Sequence, residues 1–151
     1  MNMKNSCLLL LLLANAVAGY AQIAKLTDRQ RQSITAVINQ YSQARESRDT
    51  LLLKKILTID VDQLVSTGEW RTGMAEAVQG MMKSSSSNPE HRTLTVDKIR
   101  LVTTNSAIVD CRYEIANANG DPKKMWSSFI VVADKNVWKI SAIRNMLPAA
   151  H

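Results

Sequence analysis

The chain has 151 residues, 46% of them hydrophobic and 21% charged, with a formal net charge of +6. That is enough apolar material for one globular domain with its own core, and it excludes a disordered or fibrous chain. The excess of basic residues is scattered, with no run longer than two (Lys54-Lys55, Lys123-Lys124) and no interleaved aromatics, so a nucleic-acid-binding protein is excluded as well.

The first 21 residues have the layout of a secretory signal peptide. Lys4 is followed by six consecutive leucines, Leu8 to Leu13, and then by small residues ending Gly19-Tyr20-Ala21. The apolar run is shorter than the roughly 20 residues needed to cross a bilayer. Cleavage after Ala21, with Ala18 as the alternative site, leaves residues 22–151 as an exported domain, periplasmic or secreted from a bacterium, with no stable membrane insertion. Cys7 leaves with the leader, so Cys111 has no intramolecular partner. Among β-type residues it is expected to be a buried, inert thiol.

Thr27 and Gln30 have capping-box spacing and open a helix. Ile34, Val37, Ile38, Tyr41 and Ala44 form its apolar stripe, and the polar Arg45-Glu46-Ser47-Arg48 ends it. Asp49 caps a shorter helix carrying Leu52, Leu53, Ile56 and Leu57. A first strand runs from Asp60 to Ser66, turns at Thr67-Gly68 and returns through Glu69 to Thr72. A third helix spans Met74 to Lys83, and the serines 84–87 with Asn88-Pro89 read as a loop.

From His91 onward the pattern is β. Leu94 and Val96 alternate in one phase, Ile99 and Leu101 in the other, so a bulge is expected at Asp97-Lys98. Ala107 to Ile115 is a long strand. Ala107, Val109, Cys111 and Tyr113 share one of its faces; Asp110, Arg112 and Glu114 share the other. That charged face is either a solvated outer surface with ion pairs or a pocket wall in which Arg112 binds a ligand. Asn119-Gly120 is a hairpin signal. Trp126 to Ala133 and Val137 to Met146 form a closing hairpin about Asp134-Lys135-Asn136, with Trp138, Ile140 and Ala142 on the core face and Asn145 on the other. Helices first, one early strand pair, and then a four-strand antiparallel meander make an α+β domain.

Ligating and nucleophilic motifs are sparse. His91 and His151 are the two histidines, and neither has a partner at metal-ligand spacing. The sequence contains neither a glycine-rich phosphate loop nor a recognisable nucleophile–histidine arrangement, so no metal and no cofactor is expected.

The order and spacing of several segments resemble the nuclear transport factor 2-like superfamily, in its SnoaL-like, SgcJ/EcaC-type branch. These segments are Tyr41 with Arg48-Asp49, Asp60, Gly68-Glu69-Trp70-Arg71-Thr72-Gly73, Leu94-Thr95-Val96, Ala107 to Arg112, and Trp138 to Pro148. The resemblance implies a cone: a cystatin-like α+β fold with three N-terminal helices packed on a curved antiparallel sheet, a pocket in the open end and a tendency to form homodimers. It also implies positions for chemistry. Tyr41, eight residues before Asp49, matches the hydrogen-bond donor of the steroid isomerases. Their carboxylate base, five residues after Asp60, is here Val65, and a histidine expected near the end of helix three falls in Gly80-Met81-Met82. A valine moves no proton, so the expected function is binding of a small apolar molecule, with Tyr41, Trp70, Arg112, Trp126 and Asn145 as the pocket's polar and aromatic contacts. The alternative is a cyclase-, isomerase- or dehydratase-type enzyme acting on a small apolar carbonyl compound, with Asp110 or Glu114 as base. Fold alone does not choose between them.

Overall fold

The structure is a computed structural model, and it describes residues 25–87, 91–117 and 120–149. The leader expected at 1–21 and Asn119 of the expected turn lie outside the described residues.

Helix α1, Asp28–Glu46, starts with the capping box read from the sequence: Thr27 accepts from the Gln30 backbone, and the Gln30 side chain accepts from the Thr27 backbone. Its buried stripe is Ile34, Val37, Ile38, Tyr41 and Ala44, with Arg45 as an unexpected sixth member. Asp49 caps α2, Thr50–Ile56, by accepting from Leu51 and Leu52. Leu57 does not continue that helix. It opens strand β1, Leu57–Leu64, three residues ahead of the expected Asp60. The short β2, Trp70–Thr72, leads into α3, Gly73–Ser87.

The serine run is therefore helical, contrary to the loop expectation. Ser85 is buried and Ser87 bonds back to the Lys83 carbonyl, so tertiary contacts and local back-bonding outweigh the weak helix propensity of serine. Strands β3 (Arg92–Thr103), β4 (Ser106–Ile115), β5 (Lys123–Asp134) and β6 (Val137–Met146) form the antiparallel meander. The turn between β5 and β6 has Lys135 and Asn136 both at positive φ, the backbone a tight hairpin requires.

The six strands make one curved, unclosed sheet in the order β2-β1-β6-β5-β4-β3. It is not wholly antiparallel, because β1 runs parallel to β6. The core lies between the helices and the concave face, where Ile38, Leu53, Met81, Val109, Phe129 and Ile140 are fully or almost fully buried.

Two of the sheet's register shifts bear on the site. The one in β3 falls at Asp97, as the change of phase predicts. The other falls at Ser141, where Val131 pairs with Ile140 but Ile130 pairs with Ala142. The extra residue reverses the alternation. Trp138 and Ile140 face the core as expected. Ala142 is buried beside Ile130 on the convex face, and Asn145 turns to the concave side.

Candidate functional site: a cationic cavity at the open end of the cone

Between the sheet and the helix ends lies a cavity of about 410 Å³.

 A separate groove of about 550 Å³ runs between α1 and β3, past Asn39, Gln43, Glu46 and His91, and lies open to solvent. The cavity is the smaller and more enclosed of the two, and it is the one walled by buried polar side chains. Every layer of the fold contributes to it. Arg45 comes from α1, Gln63 and Val65 from β1 and its end, Arg71 from β2, Ser84 from α3, Arg92 from β3, Tyr113 and Ile115 from β4, Lys123 and Met125 from β5, and Asn145 from β6.

Four of these residues are basic, and no aspartate, glutamate or histidine is among the described lining residues. The expectation of a mainly apolar pocket is thereby corrected. Val65, Ile115 and Met125 supply one apolar wall, but the remainder is polar and positively charged.

Arg45 is the centre of the arrangement. It is 8% exposed, and its partners are three neutral hydroxyls: Tyr41 at 3.4 Å, Tyr113 at 3.3 Å and Ser84 at 3.3 Å. Its Nε has no partner. Charge-assisted bonds to carboxylates are ordinarily about 2.7–2.9 Å long, so these contacts are long and bring no opposite charge. Both tyrosine rings also lie near the guanidinium, with centroids 5.7 and 6.0 Å away. Burial works to lower the Arg45 pKa, but the two tyrosine hydroxyls outweigh it and hold it above its ordinary value, so the group stays charged. Burial pushes Tyr113 above the usual phenol range against the opposing pull of Arg45, so its hydroxyl keeps its proton at neutral pH.

The last turn of α3 receives a second arginine. Arg92 donates to Ser85 Oγ at 3.2 Å and to the Ser84 carbonyl at 3.0 Å. Arg71 lies across α3 at Gly80, where a Cβ would overlap its side chain. It donates to Gln63 Oε1 at 3.3 Å and to Glu69 at 2.8 Å. Glu69 is on the solvent side, and its bond to Arg71 holds its carboxyl below the usual range.

The five residues singled out in the sequence are not brought together. Asn145 lines the cavity, turned inward by the Ser141 bulge, and its Oδ1 accepts from Ser127 at 2.7 Å. Tyr41 is buried in the core, edge-on to Phe129, and its hydroxyl meets Arg45. Arg112 and Trp126 are cross-strand neighbours on the convex face, beside a separate depression of about 230 Å³. There Arg112 is paired with Asp97 at 2.9 Å. Trp70 is exposed on the edge strand under Arg144, which is itself held by Asp62 at 3.0 Å.

The carboxylates considered as bases also lie elsewhere. Asp110 accepts from Ser128 at 2.6 Å, and Glu114 borders the convex-face depression. The solvated outer surface with ion pairs is thus the reading of Asp110, Arg112 and Glu114 that matches the structure. Val65, at the isomerase base position, does face the cavity.

Two of the residues missed in the sequence had a signal there. Arg45 falls four residues after Tyr41, in line with the apolar stripe, and Gln63 alternates with Val61 and Val65. Arg92 and Ser84 had none, because long-range placement alone joins them. Among the described residues no cluster of three metal-ligating side chains occurs, and no helix is long and apolar enough to cross a membrane.

No family model and no curated protein matches the chain. Solved structures do. A cystatin-like protein of unknown function from Nostoc punctiforme superposes with a TM-score of 0.73 at 11% identity, covering 84% of this chain and 97% of that one. A nuclear transport factor 2-like protein of unknown function from Shewanella oneidensis gives 0.65 at 15% identity over 77% and 98%. A Streptomyces avermitilis protein of the same family, with a proposed dehydratase activity, gives 0.68 at 14% identity over 82% and 100%. The protein thus has the cystatin-like α+β fold. Within that class its helices and sheet follow the nuclear transport factor 2-like arrangement that the sequence resembles.

Proposed function

We propose that this is an exported protein that binds a small molecule, without acid–base catalysis, in the cavity at the open end of its cone. The observation that carries the reading is the cavity itself: about 410 Å³, within the roughly 300–1,000 Å³ of small-ligand sites, with buried hydrogen-bonding groups and no carboxylate or histidine on its described lining. An isomerase- or dehydratase-type mechanism needs a group that exchanges a proton near neutral pH. Val65 occupies the position where relatives of the resemblance carry one, and Asp110 and Glu114 are on the far side of the sheet. The leader-like residues 1–21 support export to the periplasm or beyond. Trp126 and Met146, paired across β5 and β6 on the convex face and 45% exposed each, support the homodimer that the resemblance implies.

The test is native mass spectrometry of protein purified from its own host, alongside an Asn145→Trp variant made to fill the cavity. The expected result is a bound mass of small-molecule size on the natural protein that is absent from the variant. A bound mass retained equally by the variant contradicts a site in the cavity.

A further inference from the structure

The hydrogen-bonding groups around the cavity are used unevenly. Asn145 spends its acceptor oxygen on Ser127, which leaves its NH2 to donate. Gln63 spends its oxygen on Arg71 in the same way. The Tyr113 hydroxyl accepts from Arg45 and retains its own proton to donate. Arg45 is met by hydroxyls alone, and the exposed Lys123 adds a further positive charge to the lining. The wall consumes its acceptors internally and presents donors and positive charge to the space it encloses. A guanidinium taken out of water costs several kcal/mol unless an opposite charge answers it, and no carboxylate of the described lining answers Arg45.

We propose that the cavity takes a small organic anion. Its acid group is held by Arg45 with the Tyr113 hydroxyl and the Asn145 amide, and its short apolar part lies against Val65, Ile115 and Met125. This rests on the reading of the cavity as a binding site and narrows its chemistry. The inference stands on Arg45, which is more than nine-tenths buried, lines the cavity and is answered by hydroxyls and by no carboxylate of the described lining.

The experiment is calorimetric titration and thermal unfolding of the mature protein at constant ionic strength. Three probes are used up to about 10 mM, the range of weak small-ligand affinity: benzoate, its neutral isostere benzamide, and inorganic phosphate. Benzoate is expected to bind at least tenfold more tightly than either of the others. Arg45→Met is expected to lose tenfold or more in benzoate affinity while unfolding, without ligand, at the same or a higher temperature, because an apolar side chain replaces an unanswered buried charge. If Arg45→Met does not fold, Arg45→Lys and Asn145→Leu carry the same comparison, each with weaker binding expected. Equal binding of benzoate and benzamide overturns the anion inference and leaves the cavity as a binding site. Phosphate equal to benzoate overturns the organic part of it. No binding by any probe, or unchanged affinity in the folded Arg45 variants, overturns it outright. Benzoate binding that is unaltered in Asn145→Trp removes the site from the cavity, and the functional reading falls with it.

Discussion

Cys111 illustrates how an individual residue's surroundings set its chemistry. The thiol is fully buried on the concave face of β4, and burial, with the Asp110 and Asp97 carboxylates adding to it, pushes its pKa from 9.0 up to about 12. It is therefore a neutral core group, not a nucleophile. The folded state holds the proton more tightly than the unfolded chain does. Its contribution to stability is complete below pH 9 and is lost as pH rises towards 12. Equilibrium unfolding in urea across that range should show stability falling, with a shallower fall in Cys111→Ala; Tyr113, shifted in the same direction, accounts for what decline remains. Identical slopes in the two proteins would contradict the assignment. This burial was legible from alternation along β4, which puts Cys111 with Val109 and Tyr113. The burial of Arg45 was not, since a charged residue at a helix end is ordinarily solvated. Its place on the stripe, four residues after Tyr41, was the available clue.

At the scale of elements, the caps of α1 and α2 were readable because capping is local: Thr27, Gln30 and Asp49 act within three residues of themselves. The bulge at Asp97 was readable because the apolar phase changes across it. The bulge at Ser141 was not, because Ala142 is apolar on either face and hides the change. That one residue decides whether Asn145 meets the cavity. The length of α3 was also hidden, since its serines hold a helical turn through Arg45, 39 residues from Ser84, and through Arg92 on the next strand. Gly80 has a specific use in the same helix: it leaves room for Arg71 to cross α3 and reach Gln63. Gly80→Ala should gain about 0.8–1.0 kcal/mol of helix propensity. It should give back about 1.5–3 kcal/mol through the displaced charge-assisted bond from Arg71 to Gln63. Urea denaturation should therefore show a net loss of up to about 2 kcal/mol, while benzoate binding weakens. A loss above about 3 kcal/mol would mean that Arg71 is part of the core and not of the cavity wall.

For the whole molecule, the fold separates its charges by face. Asp62 with Arg144 and Asp97 with Arg112 are paired, partly exposed, on the convex side, where such pairs contribute up to about 1 kcal/mol each. The concave side keeps arginine and lysine around an enclosed space. The helices-then-meander order was enough to place the chain in its class. It was not enough to place the site, because β1 joins the sheet parallel to β6, and only that pairing brings Gln63 and Val65 opposite Tyr113 and Asn145. The ligand is proposed to sit in this space, and not against the convex face with Arg112 and Trp126. The most direct measurement is a crystal structure of protein taken from its own host without added ligand. Non-protein density is expected in the cavity, with an acid group within about 3 Å of Arg45. Density seated against Arg112 and Trp126, with the cavity holding water alone, would contradict it.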